Sequence, residues 1–161
     1  MHARAQELLS ALRLKAHPEG GHYAEIYRST SRVQPYDQRG VRLALTTIYF
    51  LLNAGEVSRW HRVRSDEAWH YYEGNPLELF KMDENGGDVV RHLLGPVGPG
   101  TRPVYVVPAN AWQAARTTGD YTLVGCSVGP GFQFEDFCML RDEPQGVAPE
   151  RLRRPDVTPF L

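Results

Sequence analysis

The stretch GEVSRWHRVRSDEAWHYYEG, residues 55–74, is bounded by glycines and reads as two short strands joined by a turn at residues 64–66. Successive side chains on a strand point to opposite faces, so His61 and Val63 share one face of the first strand. On the second strand Glu67, Trp69, Tyr71 and Glu73 share a face, and Asp66, Ala68, His70 and Tyr72 share the other. A histidine and a glutamate therefore fall on the inner side of one hairpin, among aromatic groups. His70 falls on the outer side.

Working outward, short β-type runs cover residues 22–27, 43–52, 67–73, 77–82, 89–94, 104–107, 111–116, 121–128 and 134–140. Turn signals such as Gly74-Asn75-Pro76, Asn85-Gly86-Gly87, Gly98-Pro99-Gly100 and Gly129-Pro130-Gly131 separate them. Ala5, Leu8, Leu9 and Leu12 recur at helical spacing, which predicts one amphipathic helix within residues 1–14. The HPEGG of residues 17–21 reads as the turn that ends it, with Gly20 and Gly21 serving a tight bend. Many strands with no helices between them indicate an antiparallel all-β barrel or sandwich. Residues 1–161 are expected to form a single domain, and the Pro-rich tail, residues 142–161, to wrap the surface or be partly disordered.

Composition narrows the function. The chain has 161 residues, and its 18 Lys and Arg balance 19 Asp and Glu, so no basic field exists to hold nucleic acid. The longest apolar run, residues 48–52, is too short to cross a bilayer, and the N-terminal MHARAQELLSALRL lacks the unbroken apolar centre of a secretory signal. A cytoplasmic protein without membrane or nucleic-acid partners is the expectation. Cys126 and Cys138 lack metal-ligand spacing and are expected to be small buried hydrophobes. No GxSxG, HExxH or CxxC occurs, which removes the main support for serine hydrolase, zincin or thioredoxin-like chemistry.

The spacing Gly55, His61, Val63, Glu67, Gly74 resembles the first motif of the cupin superfamily, glycine, His-x-His, Glu and glycine, with valine at the second histidine. Pro108-Ala109-Asn110-Ala111-Trp112-Gln113 is similar to the second motif, with Asn110 for its glycine and Gln113 for its histidine. Asn tolerates positive φ, so the turn can survive the first change. The chain also resembles a cupin branch that carries HPEGG, WHRxxSDExWHxYEG and GCxxxPGFxFEDF; here these are residues 17–21, 60–74 and 125–137. The resemblance implies a double-stranded β-helix, that is a jelly-roll barrel, usually homodimeric, with a small-molecule pocket inside.

A typical cupin metal site has three histidines and a glutamate, and the matching set here is His61, Val63, Glu67 and Gln113. Valine cannot coordinate and an amide oxygen is a weak ligand, so His61, Glu67 and Gln113 would hold a divalent ion only loosely. No cofactor is the leading expectation. His61 and Glu67 then form the catalytic pair, since imidazole titrates near about 6.5 and a carboxylate beside it tunes it for proton transfer. Tyr49, Trp69, Tyr71 and Gln113, with Trp112, are the expected ligand-binding walls and orienting groups. The functions this permits are small-molecule binding, with isomerase, epimerase or cyclase chemistry as its extension; a metal-dependent oxygenase or isomerase; and a non-catalytic module. Tyr23, Glu25 and Tyr27 share a strand face that either lines the barrel or faces outward. Glu135 and Asp136 point oppositely, and a loop role against arginine is preferred for them.

Overall fold

The computed structural model describes residues 1–142 and 152–161. Helix α1 (Ala3–Ala11) precedes thirteen strands: β1 (Lys15–Ala16), β2 (His22–Arg28), β3 (Arg32–Val33), β4 (Arg42–Leu43), β5 (Thr46–Asn53), β6 (Val57–Val63), β7 (Asp66–Gly74), β8 (Leu77–Met82), β9 (Val90–Leu94), β10 (Val104–Val107), β11 (Trp112–Thr117), β12 (Tyr121–Gly129) and β13 (Phe137–Met139). Two sheets, ordered β1-β2-β5-β12-β7-β10 and β13-β6-β11-β8-β9, face each other, and β3 with β4 makes a separate hairpin. Every ladder between these strands is antiparallel, the arrangement of a jelly roll.

Both sheets are apolar on both faces, which alternation alone would not give. Phe50, Leu52, Trp69, Leu77, Leu79, Val124 and Cys126 fill the space between them. On the outer face of the first sheet, Leu51 and Leu123 are covered by Ala5 and Leu8 of α1. On the outer face of the second, Trp60, Phe80 and Trp112 are covered by Val157 and Phe160 from the chain's end. The expected tail thus splits: residues 143–151 lie outside the described residues, and 152–161 complete a core. Trp60 Nε1 donates to the Val157 carbonyl at 3.1 Å, which ties that segment down.

Three expectations are corrected. The run at 43–52 is broken at Ala44–Leu45, where the chain leaves the β3–β4 hairpin and enters β5. The run at 134–140 opens with a 3-10 turn, Phe134–Asp136, before β13. Asp136 is pulled from strand geometry by Arg42, whose Nε and Nη2 donate to its two oxygens at 2.7 and 3.0 Å, and by Arg39 at 3.2 Å. The helix is shorter than residues 1–14, capped by His2 and ended before Arg13, whose φ is +53°.

Phe160 is 2 % exposed and packs against Phe80 and Trp60. Phe160→Ala is expected to cost about 3–5 kcal/mol in urea denaturation; a loss below about 1 kcal/mol would show that the terminal segment is not part of the core.

Candidate functional site

A cavity of about 350 Å³ opens at one end of the barrel. Its floor is His17, Glu19, His61, Glu67 and Cys126; its walls include Tyr23, Ile48, Phe50, Val63, Phe132 and Phe137; Glu25, Arg28 and Phe134 stand exposed at the mouth. The volume is at the lower end of small-molecule sites.

Two irregularities assemble the floor. Gln113 pairs with His61 and Ala115 with Ser58, so β6 holds one residue more than β11 over that interval. Residues three apart on a regular strand face opposite ways; this bulge turns Ser58 and His61 toward the same partner, Glu19. Glu19 arrives on the turn formed by residues 17–21. Gly20 has φ +110°, and a Cβ there would lie 2.1 Å from the Val57 carbonyl oxygen, so only glycine lets the turn lie against β6. Arg59 N–H then donates to the Glu19 carbonyl at 2.8 Å and locks the turn in place.

Hydrogen bonds fix the proton positions. His61 Nδ1 is 2.7 Å from the Arg59 carbonyl, which can only accept, so Nδ1 carries the hydrogen and Nε2 presents a lone pair. That Nε2 lies 3.3 Å from Glu19 Oε2. His17 Nδ1 accepts the Glu19 N–H at 3.3 Å and lies 3.4 Å from the same Oε2. The His61 Nε2 lone pair thus meets a carboxyl oxygen, an arrangement that needs a proton between them, whereas the His17 Nδ1 lone pair is taken up by the Glu19 N–H. The other oxygen, Oε1, accepts from Ser58 Oγ at 2.7 Å. Burial raises the Glu19 carboxyl, countered by His17 and Ser58, and burial lowers both His61 and His17. Neutral imidazoles around a protonated Glu19 satisfy both the geometry and the desolvation.

Glu67, across the floor, is backed by a chain of donors. Gln113 Nε2 donates to Glu67 Oε2 at 2.5 Å, and Trp69 Nε1 donates to Gln113 Oε1 at 2.9 Å, fixing the amide's orientation. The Cys126 thiol also donates to Glu67, and burial first, then the two carboxylates, hold that thiol well above its ordinary range. Burial pushes the Glu67 carboxyl up to about 7, against the pull of His61 and with a push from Glu19.

Of the sequence-derived residues, His61 and Glu67 come together in the cavity. Gln113 stands behind Glu67, and Trp69 behind Gln113, edge-on to Phe50. Tyr49 is a correction: its neighbours Ile48 and Phe50 line the cavity, so Tyr49 points out and packs with Leu51 under α1. Tyr71 is another: it lies four residues along β7 from Glu67, on the order of 13 Å, and its hydroxyl donates to the Gly74 carbonyl. Trp112 belongs to the outer core. Tyr23 and Glu25 do line the cavity; beyond them the β2–β5 register shifts, turning Tyr27 out and Arg28 in. Glu135 and Asp136 bind Arg42. His70 is off the cavity, and Asn110 takes a φ of +67°. His17 and Glu19 escaped the reading of the residues as turn punctuation. The signal was a glutamate between a proline and two glycines, next to a histidine.

The chain matches the family described as Cupin superfamily (DUF985) over residues 6–140. It belongs to the cupin superfamily. A hypothetical protein from Leishmania major is 33 % identical, with TM-score 0.78 over 88 % of this cupin and 93 % of that chain. A Shewanella oneidensis protein is 35 % identical, with TM-score 0.75 over 94 % of this cupin and 98 % of that one. Bacillus subtilis oxalate decarboxylase shares the fold at 13 % identity and TM-score 0.58, over 85 % of this chain and 35 % of its own. No curated protein matches. The described residues include no helix long and apolar enough to cross a membrane.

The cupin metal positions do not fit an ion here. Val63 offers no donor, and the Gln113 oxygen already accepts from Trp69. Among the described residues no three His, Cys, Asp or Glu side chains are placed to hold a metal.

The Glu67 carboxyl gives a test. Its folded value, about 7, lies above the ordinary 4.5, so its stabilising contribution is complete below about pH 4.5 and lost as pH rises through about 7. From about pH 5 to about pH 8, wild type should lose roughly 2.5 kcal/mol relative to Glu67→Gln in denaturant titrations. Parallel pH profiles for the two proteins would contradict this placement of Glu67.

Proposed function

We propose that this cupin binds a small ring-bearing metabolite in the barrel cavity and catalyses a metal-free proton transfer on it, of the isomerase or epimerase type. The observation that carries the reading is the buried floor, where two carboxyls and two imidazoles share a cavity walled by aromatic rings. A carboxyl titrating near 7 is present in both forms at neutral pH, which suits a general base. Glu67 as carboxylate takes a proton from the ligand. The proton held between Glu19 and His61 is delivered to the ligand's second position. Glu67 ends protonated and Glu19 ionised, so charge moves across the floor without a redox partner. Gln113 and Cys126 hold the Glu67 oxygens in place, and His17 fixes Glu19.

The test is deuterium incorporation. Protein incubated with a small-molecule extract in deuterated water should label one metabolite on carbon, read by mass spectrometry. Glu67→Gln and His61→Ala are each expected to lower that labelling at least about a hundredfold. Retention of a cavity-bound metabolite with no label from wild type would reduce the protein to a binding module, and unchanged labelling in His61→Ala would remove His61 from the chemistry.

A further inference from the structure

We infer that the cavity's ligand carries a carbonyl oxygen seated on His17 Nε2–H, and that this N–H stabilises the negative charge that the proton transfer develops on that oxygen. This rests on reading the cavity as a ligand site, and it adds the ligand's functional group and the place where that group sits.

The turn of residues 17–21 delivers more than Glu19. His17 also lines the cavity, with its side chain 7 % exposed. Its Nδ1 lone pair is taken by the Glu19 N–H at 3.3 Å, so the ring carries its hydrogen on Nε2. An imidazolium would set a second hydrogen on Nδ1 against that N–H, so the ring stays neutral. The Nε2 hydrogen has no acceptor among the described residues. Nor is the ring free to turn and find one. It stands edge-on to Tyr23, Phe50 and Phe137, with centroids 4.6, 6.0 and 6.2 Å away, and these rings hold its plane but offer no lone pair. Its backbone is pinned as well, donating to the Gly21 carbonyl and accepting from the Gly20 N–H, each at 3.0 Å. A buried donor without an acceptor is costly, and an oxygen on an occupant of the cavity answers it.

The surroundings decide what kind of oxygen fits. Tyr23, Phe50, Phe132 and Phe137 make the wall beside His17 aromatic, which suits an acceptor mounted on an apolar or ring-bearing frame. An anionic acceptor finds no charged donor. Arg28 is the one guanidinium among the described residues that line the cavity, and it is committed. Its Nε and Nη2 donate to both Glu25 oxygens at 2.9 and 2.6 Å, and its Nη1 to the Phe132 carbonyl at 3.5 Å. A carboxylate or phosphate would therefore lose its water against a single neutral N–H. A carbonyl oxygen matches that single donor and gives up far less hydration.

A carbonyl also suits the proposed chemistry, because a C–H bond beside a carbonyl is the one a carboxylate can break. The Glu67 carboxylate takes that proton, the C–H electrons form a carbon–carbon double bond, and the carbonyl π electrons move onto oxygen. His17 Nε2–H, fixed before the reaction, strengthens its hydrogen bond as charge gathers on that oxygen. The enolate's electron pair then takes the proton held at Glu19, at the second position or on the opposite face, and the carbonyl returns. His17 keeps its hydrogen throughout. A neutral imidazole suffices for this role, and seating the oxygen needs no ionised group in the cavity.

Calorimetry with three matched probes, acetophenone, α-methylstyrene and benzoate, tests this on the intact wild-type protein at neutral pH. The first two share a shape and differ only in carrying a carbonyl oxygen or a methylene. Acetophenone should bind at least about tenfold tighter than α-methylstyrene, and tighter than benzoate. Its carbonyl stretch in infrared spectra should fall below the value in an apolar solvent when it binds. His17→Phe keeps a ring in the aromatic box and removes the donor, so both effects should vanish; His17→Gln keeps an N–H and should restore part of each. Equal binding of acetophenone and α-methylstyrene, tighter binding of benzoate, an unshifted stretch, or no acetophenone binding at millimolar concentration overturns the inference. So does a preference that survives in His17→Phe. The wild-type comparison is decisive by itself, so a variant that fails to fold leaves the test intact. The two readings fail separately. A carbonyl preference without any deuterium label ends the proton-transfer proposal and leaves the carbonyl seat, whereas a label on a carbon with no carbonyl beside it does the reverse.

Discussion

The His61 Nε2 lone pair and a buried Glu19 carboxyl oxygen need a proton between them, and the rest of the site is arranged around that proton. Glu19 Oε2 lies 3.3 Å from His61 Nε2 and 3.4 Å from His17 Nδ1. The Arg59 carbonyl fixes the His61 tautomer so that its Nε2 lone pair faces Oε2, and the Glu19 N–H occupies the His17 Nδ1 lone pair, leaving the His17 hydrogen on Nε2. Ionising Glu19 without charging a histidine leaves lone pairs opposed in a desolvated space, so Glu19 holds its proton at rest and releases it only as Glu67 across the floor is neutralised. The turn of residues 17–21 that carries Glu19 is tied to β6 by the Arg59–Glu19 main-chain bond and by Gly20, which tolerates no Cβ against the Val57 carbonyl.

Glu67 obeys different rules on the same floor. It receives Gln113 and Cys126, both neutral donors, and so is stabilised as an anion only weakly. A histidine, the usual cupin residue at position 113, would be a ligand or a potential cation. Glutamine is neither, and with its oxygen taken by Trp69 it serves as an oriented donor to Glu67. Valine at 63 and glutamine at 113 remove two ligand positions of the cupin metal set, while burial, against the Gln113 and Cys126 hydrogen bonds, poises the Glu67 carboxyl near neutral pH. The floor holds a stored proton at Glu19 and a titrating acceptor at Glu67.

The barrel and the inward direction of His61 and Glu67 were legible because strand periodicity and hairpin turns are local signals. Tyr49 was not, because TTIYFLLN is apolar on both faces; the helix that covers one of them lies far away in sequence. Tyr71 has the right parity, but parity says nothing of distance along the strand. Ser58 meeting His61 at Glu19 depends on a bulge, which leaves no mark in composition. Glu19 itself was hidden by context. A glutamate before two glycines reads as an exposed turn until the glycines are seen to press the turn into the barrel's end. The terminal Phe160 reads as part of a proline-rich tail and becomes core only because Trp60, Phe80 and Trp112 crowd the outer face of one sheet.

The most direct test of the stored proton is long-range nitrogen–proton correlation NMR of the histidine side chains at neutral pH. His61 is predicted to be a neutral ring with hydrogen on Nδ1 and none on Nε2, and His17 a neutral ring with hydrogen on Nε2, leaving the shared proton on Glu19. A His61 ring protonated on Nε2, whether as the other tautomer or as imidazolium, would contradict the account.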